Sequence, residues 1–89
     1  MIERELIVGN RLGLHARATA KLVQVLSTFR STATLTAKGR EVNAKSIMGV
    51  MLLAAGQGTP VVLRVEGEDE AAAADAACDL FARHFDEGG

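Results

Sequence analysis

The chain is poor in the residue types that usually form cross-links, metal sites and redox sites. Its 89 residues include no tryptophan or tyrosine, one cysteine, one proline, three phenylalanines and two histidines. The single Cys78 cannot form an internal disulfide, and no Cys/His cluster offers metal ligands. No nucleotide-binding glycine loop, pair of catalytic acids or Ser-His-Asp arrangement is recognisable. We therefore expect neither a metal nor a cofactor.

Long apolar segments are also missing. The longest, residues 50–55, is far shorter than the roughly 20 residues that a membrane-spanning helix needs. The first five residues lack the charged-then-apolar layout of a signal peptide. The sequence therefore predicts a cytoplasmic protein with no membrane insertion, and we expect a monomer.

Neither sign of charge is in large excess. Ten basic and eleven acidic residues give a net charge of −1, which does not favour nucleic acid as a partner. The charge is nevertheless unevenly placed, since residues 11–45 hold seven basic side chains and one acid, and residues 66–87 hold eight acids and one arginine. A basic middle suits a phosphate-bearing site or acidic partners.

Apolar periodicity predicts a single α+β domain over residues 1–89. Alternating patterns predict strands at 2–8, 32–37, 40–43 and from Pro60 onward, while helical spacing predicts helices at 18–29, from 47 to about 53, and from the acids at 68–70 to about Phe85. Lys38-Gly39 fits a hairpin turn, and Cys78 falls at core spacing. The order β-α-β-β-α-β-α favours a mostly antiparallel four-stranded sheet with three helices on one face. Residues 86–89 are expected to fray.

His15 is the main candidate for chemistry. It stands in Gly-Leu-His-Ala-Arg at residues 13–17, at the predicted entry of the first helix. Helix starts offer unpaired N–H groups and the positive end of the macrodipole, and Arg17 adds a guanidinium that binds phosphate oxygens. Imidazole is nucleophilic near neutral pH and can carry a covalent intermediate. The alternative is a surface histidine that only caps the helix.

A second candidate region lies at residues 43–53. Ser46 is placed as an N-cap for a short helix, and a phosphate on it would also be tolerated there. The helix itself is apolar almost all round, so some of its side chains must face solvent unless a partner covers them. The alternative is that this helix is simply well buried.

Both segments resemble the HPr family, the histidine-containing phosphocarriers of the bacterial phosphoenolpyruvate-dependent sugar phosphotransferase system. Gly-Leu-His-Ala-Arg at residues 13–17 is similar to the family's active-site signature, and Asn-Ala-Lys-Ser-Ile-Met-Gly at 43–49 to its regulatory-serine segment. Many members have proline where this chain has Ala18. The family fold, an open-faced β-sandwich, agrees with the predicted element order.

The resemblance implies specific roles. His15 would accept a phosphoryl group on Nδ1 from phosphorylated Enzyme I and pass it to an EIIA-type protein, acting as a stoichiometric carrier and not as an enzyme. Ala16 and Arg17 would hold the phosphate, and Ser46 would be the target of an HPr kinase. The implied docking residues are Ala16, Arg17, Ala20, Lys21, Gln24, Ile47, Met48 and Met51.

Two other functions stay open at this point. One is a regulatory paralogue that uses the same His15 chemistry to control nitrogen or carbon metabolism. The other is an α+β binding module that is never phosphorylated, since a fold alone does not fix a function.

Overall fold

The computed structural model describes residues 1–87. Its elements are β1 (Ile2–Ile7), α1 (Ala16–Ser27), β2 (Thr32–Ala37), β3 (Arg40–Asn43), α2 (Ile47–Leu52), β4 (Pro60–Glu66), α3 (Glu70–Ala82) and a single 3₁₀ turn (His84–Asp86). This order confirms the predicted α+β arrangement. None of the helices within residues 1–87 has the length and apolar character needed to cross a bilayer.

In this part of the chain the strands form one four-stranded sheet in the order β1-β4-β2-β3, and every pairing is antiparallel. The register sets Leu35 opposite Leu63 and Ala33 opposite Val65. Because strand side chains alternate between faces, the inward residues of the two central strands, β2 and β4, form an apolar surface. Its buried side chains in β2 and β4 are Ala33, Leu35, Ala37, Val61, Leu63 and Val65. The predicted alternation is confirmed.

The hairpin between β2 and β3 also forms as predicted. Lys38 and Gly39 have positive φ angles of 54° and 76°, which is the conformation of the tight turns that join twisted antiparallel strands.

The helices cover the apolar face of the sheet. Helix α1 buries Ala18, Leu22 and Leu26 at helical spacing. It begins two residues earlier than predicted, with His15 as its N-cap. Cys78, predicted at core spacing, is only half-buried, and burial still raises the pKa of its thiol.

Helix α3 ends earlier than predicted. Its last helical residue is Ala82, and His84, Phe85 and Asp86 then adopt φ angles of 53°, 56° and 61°. This left-handed turn buries the Phe85 ring against Phe81, with ring centroids 4.9 Å apart. The prediction of fraying is wrong for residues 86 and 87, which make the contacts described below; residues 88 and 89 lie outside the described residues.

The acids before α3 have two different roles. Glu70 lies in the first turn of α3 as predicted, and its carboxylate accepts a hydrogen bond from the Gly67 amide over 3.1 Å. The Asp69 carboxylate instead accepts hydrogen bonds from the amides of Arg30 and Ser31, at 2.8 and 2.9 Å, and from the Ser31 hydroxyl. These bonds lower the pKa of Asp69 to about 2. Asp69 therefore ties the start of α3 to the start of β2.

Candidate functional site around His15

The loop before α1 is held rigidly against the segment that follows α2. Leu14 is buried, and its amide donates to the Ala55 carbonyl over 2.9 Å. Gly13 has a φ of +69° and passes so close to this segment that an added Cβ would lie 2.5 Å from the Ala55 oxygen. Only glycine fits such a backbone without strain. The following residue, His15, is thereby fixed at the entrance of the helix.

The imidazole of His15 folds back over the first turn of α1. Its Nδ1 accepts a hydrogen bond from the Arg17 amide over 3.3 Å, and the side chain remains 27% exposed. A ring nitrogen that accepts a hydrogen bond carries a lone pair and no proton. Nδ1 is therefore an unprotonated nitrogen at the positive end of a helix, where anionic groups are favoured.

The other ring nitrogen faces a carboxylate. Nε2 of His15 lies 2.5 Å from Oε2 of Glu87, and Oε1 of Glu87 accepts from the Asn10 side-chain amide over 2.9 Å. Asn10 is fully buried and also donates to the Gly13 carbonyl over 2.7 Å. The hydrogen bond from Asn10, followed by that from His15 and the charge of Lys21, lowers the pKa of Glu87. Nε2 is accordingly the protonated ring nitrogen.

The residues beside His15 are placed as follows. Ala16 and Arg17 form the first turn of α1, and both are exposed. Of the two amides expected to point at the imidazole, that of Arg17 is hydrogen-bonded to it; for the Ala16 amide, residues 1–87 show no such bond.

Sequence reasoning missed Asn10 and Glu87. Glu87 lies 72 positions after His15, so no local pattern connects them. The pair Gly9-Asn10 is typical of a turn. The burial of Asn10 becomes visible only in the folded chain.

Comparison with known proteins places the chain in a family. The family model described as "PTS HPr component phosphorylation site" matches residues 2–83. The phosphocarrier protein HPr of Xylella fastidiosa strain 9a5c is 66% identical, with 98% of each chain covered, and that of Cupriavidus necator is 51% identical over 99% of each. The crystal structure of HPr-C-His from Thermoanaerobacter tengcongensis superposes with a TM-score of 0.96 at 43% identity, covering all of both chains.

The chain belongs to the HPr family. It is a phosphocarrier of the phosphotransferase system, and its open sheet with three helices is the fold of the solved HPr structures.

Ser46, the serine of the second HPr-like segment, is the N-cap of α2. Its hydroxyl accepts a hydrogen bond from the Gly49 amide over 3.1 Å, as the capping prediction requires. One residue earlier, the Lys45 amide donates to the Asn43 side chain over 2.9 Å. The segment before α2 is therefore an ordered cap.

Helix α2 is buried along one side and exposed along the other, as its composition predicts. Val50 and Leu53 are buried, whereas Met48, Leu52, Ile47 and Met51 are 76%, 59%, 47% and 44% exposed. Leu52 was absent from the predicted docking residues.

Among the predicted docking residues on α1, Gln24 is exposed and Ala20 is half-buried. Lys21 is half-buried, and its ammonium group donates to the Phe85 carbonyl over 2.8 Å.

Helices α1 and α2 pack together and run antiparallel. The Leu14–Ala55 hydrogen bond joins the start of α1 to the end of α2, and the Lys45 ammonium group donates to the Phe29 carbonyl, over 2.8 Å, at the opposite end. Twelve residues of α1 span ~18 Å at the helical rise of about 1.5 Å per residue. His15 and Ser46 therefore lie at opposite ends of the helix pair.

Proposed function

We propose that His15 accepts a phosphoryl group on Nδ1 from phosphorylated Enzyme I and passes it to an EIIA-type protein. The observation that supports this is the unprotonated Nδ1 nitrogen against the Arg17 amide at the α1 N-terminus. A phosphate on Nδ1 would find there a backbone donor, the positive end of the helix and, from Arg17, a nearby guanidinium. Ala16 and Arg17 are accordingly the proposed phosphate-binding residues.

The transfer step moves one phosphoryl group and no redox equivalents. The Nδ1 lone pair attacks phosphorus, the new N–P bond forms, and the bond between phosphorus and the donor atom of Enzyme I breaks with its electron pair returning to that atom. In the second transfer the acceptor atom of the EIIA-type protein attacks phosphorus, and the electron pair of the N–P bond returns to Nδ1. The protein contributes position and electrostatics, as phosphoryl transfer generally requires. It ends each cycle discharged, so it acts as a carrier and not as an enzyme.

The docking surface of the proposed carrier consists of Ala16, Arg17, Ala20, Lys21, Gln24, Ile47, Met48 and Met51, and we now add Leu52. Exposed methionine and leucine side chains suit several partners in turn. The basic residues Arg17 and Lys21 would attract acidic partner surfaces and speed association. Such a small patch favours short-lived complexes, which a carrier needs.

Phosphorylation of Ser46 would regulate this transfer through the docking surface. Ser46 lies at the far end of the helix pair from His15, so its phosphate would not reach the imidazole. It would instead place close to two negative charges beside Ile47 and Met48, where an acidic partner docks. Docking, and not the chemistry at Nδ1, is the step that we expect to weaken.

Intact-protein mass spectrometry tests the proposed carrier. Incubation with Enzyme I and phosphoenolpyruvate should add one phosphoryl mass, labile in acid and stable in base. His15→Ala should abolish the gain, whereas His84→Ala, which alters the other, exposed histidine, should retain it. A gain that persists in His15→Ala, or no gain in the unaltered protein with several Enzyme I proteins, would overturn the proposal.

A further inference from the structure

The chain reaches the site a second time at its C-terminal end, through a strained turn. His84, Phe85 and Asp86 all have positive φ angles, and none is glycine. Left-handed backbone is unfavourable for an L-residue. Strain of this kind persists where the surroundings over-determine it, and it is concentrated at functional sites.

Three contacts hold this turn in place. The Phe85 ring is fully buried against Phe81, and the Lys21 ammonium group donates to the Phe85 carbonyl over 2.8 Å. The Glu87 amide then donates to the His84 carbonyl over 3.0 Å. Helix α1 therefore supplies both the reactive histidine and the lysine that fixes the turn opposite it.

The Glu87 carboxylate connects the turn to the imidazole. One oxygen is held by the buried Asn10 amide and the other lies 2.5 Å from His15 Nε2. Asn10 also holds the Gly13 carbonyl in the loop that carries His15. One buried side chain thus sets the position of both partners. The carboxylate is 14% exposed, so water competes little for it.

We propose that Glu87 is a positioning residue for phosphoryl transfer: it accepts the Nε2–H of His15 and so keeps Nδ1 unprotonated, with its lone pair directed at the α1 N-terminus. This inference rests on the proposed function. The arrangement follows the logic by which a carboxylate selects the tautomer and orientation of a reactive imidazole.

The same contact bears on the phosphorylated state. When Nδ1 forms its bond to phosphorus and Nε2 keeps its proton, the ring gains a positive charge. The adjacent carboxylate stabilises that charge, and the charged ring remains a good leaving group for the next transfer. The charge of Lys21 partly offsets that of Glu87, which limits repulsion of the incoming phosphoryl group.

Nuclear magnetic resonance and transfer kinetics test the role of Glu87 in four proteins: the unaltered chain, Glu87→Ala, Glu87→Gln and Asp86→Asn. In the unphosphorylated chain we expect a low-field, exchange-protected Nε2 proton on His15. Glu87→Ala should lose it. Glu87→Gln preserves the shape of the side chain but removes its charge, so the Nε2 proton of His15 should move upfield. Asp86→Asn, whose carboxylate pairs with Arg83 and not with His15, should keep it.

Transfer from phosphorylated Enzyme I should slow by about ten-fold in both Glu87 variants. This slowing corresponds to the loss of one charge-assisted hydrogen bond. Asp86→Asn should transfer at the unaltered rate. The inference is overturned if Glu87→Ala keeps the low-field proton, or if both Glu87 variants remain folded and transfer at full rate. Failure of the unaltered chain to become phosphorylated would instead count against the proposed function, because the proton signal does not depend on phosphorylation.

Discussion

At the scale of single residues, the position of His15 depends on a neighbour that carries no functional group. Gly13 combines a left-handed backbone with an approach to the Ala55 carbonyl that leaves no room for a side chain. Gly39, in the β2–β3 hairpin, has a similar φ of +76° but open space around it. A comparison of alanine substitutions at the two glycines therefore separates the energetic cost of left-handed backbone from the cost of placing a side chain against the Ala55 carbonyl.

Gly13→Ala should destabilise the protein much more than Gly39→Ala. Both substitutions cost about 1–2 kcal/mol for left-handed backbone, and Gly13→Ala adds about 1–3 kcal/mol for overpacking against Ala55. Urea denaturation of the two variants measures the difference in the free energy of unfolding. Gly13→Ala should also slow phosphorylation of His15, since the loop must shift. Equal losses of stability in both variants would contradict the close approach.

At the scale of secondary-structure elements, prediction succeeded where the determining contacts are local. The alternation of β2, the Lys38-Gly39 turn and the Ser46 cap each depend on residues within a few positions of one another. The end of α3 was predicted wrongly, because burial of Phe85 in a left-handed turn depends on packing and on Lys21, 64 positions away. The Glu87 contact with His15 was missed for the same reason.

The α2 cap yields a prediction that separates stability from docking. Ser46→Ala removes the hydrogen bond from the Gly49 amide and should cost about 1 kcal/mol of stability with little effect on transfer. Ser46→Asp keeps a capping oxygen but adds a negative charge, so it should leave stability near that of the unaltered protein and slow transfer by about ten-fold or more. Thermal unfolding and transfer rates measure the two effects.

Ala71→Asp is the matched control for Ser46→Asp. It adds the same charge to an exposed position in the first turn of α3, outside the docking surface. It should transfer at the unaltered rate. If Ala71→Asp slows transfer as much as Ser46→Asp does, net charge and not the α2 position is responsible, and the proposed role of Ser46 is wrong.

At the scale of the whole molecule, carboxylates in the C-terminal third of the sequence form hydrogen bonds to residues that are distant in sequence. Asp69 joins the start of α3 to the start of β2 through Arg30 and Ser31. Composition revealed only an acidic C-terminal segment, and these partners lie about 40 positions from Asp69. Sequence spacing therefore predicted an acidic helix start, and only the folded chain shows a tertiary link.

This link makes stability depend on pH in a defined direction. Hydrogen bonds lower the pKa of Asp69 from 3.8 to about 2, so its contribution to folding is complete above the ordinary value and is lost as the pH falls through about 2. Asp69→Asn should therefore lower the Tm clearly at neutral pH, and the difference from the unaltered protein should shrink as the pH approaches 2. Asp75→Asn removes an equal charge from an exposed position on α3 and should change the Tm little at any pH. Calorimetry across this range measures both; a gap for Asp69→Asn that stays constant with pH would show that ionisation of Asp69 does not stabilise the fold.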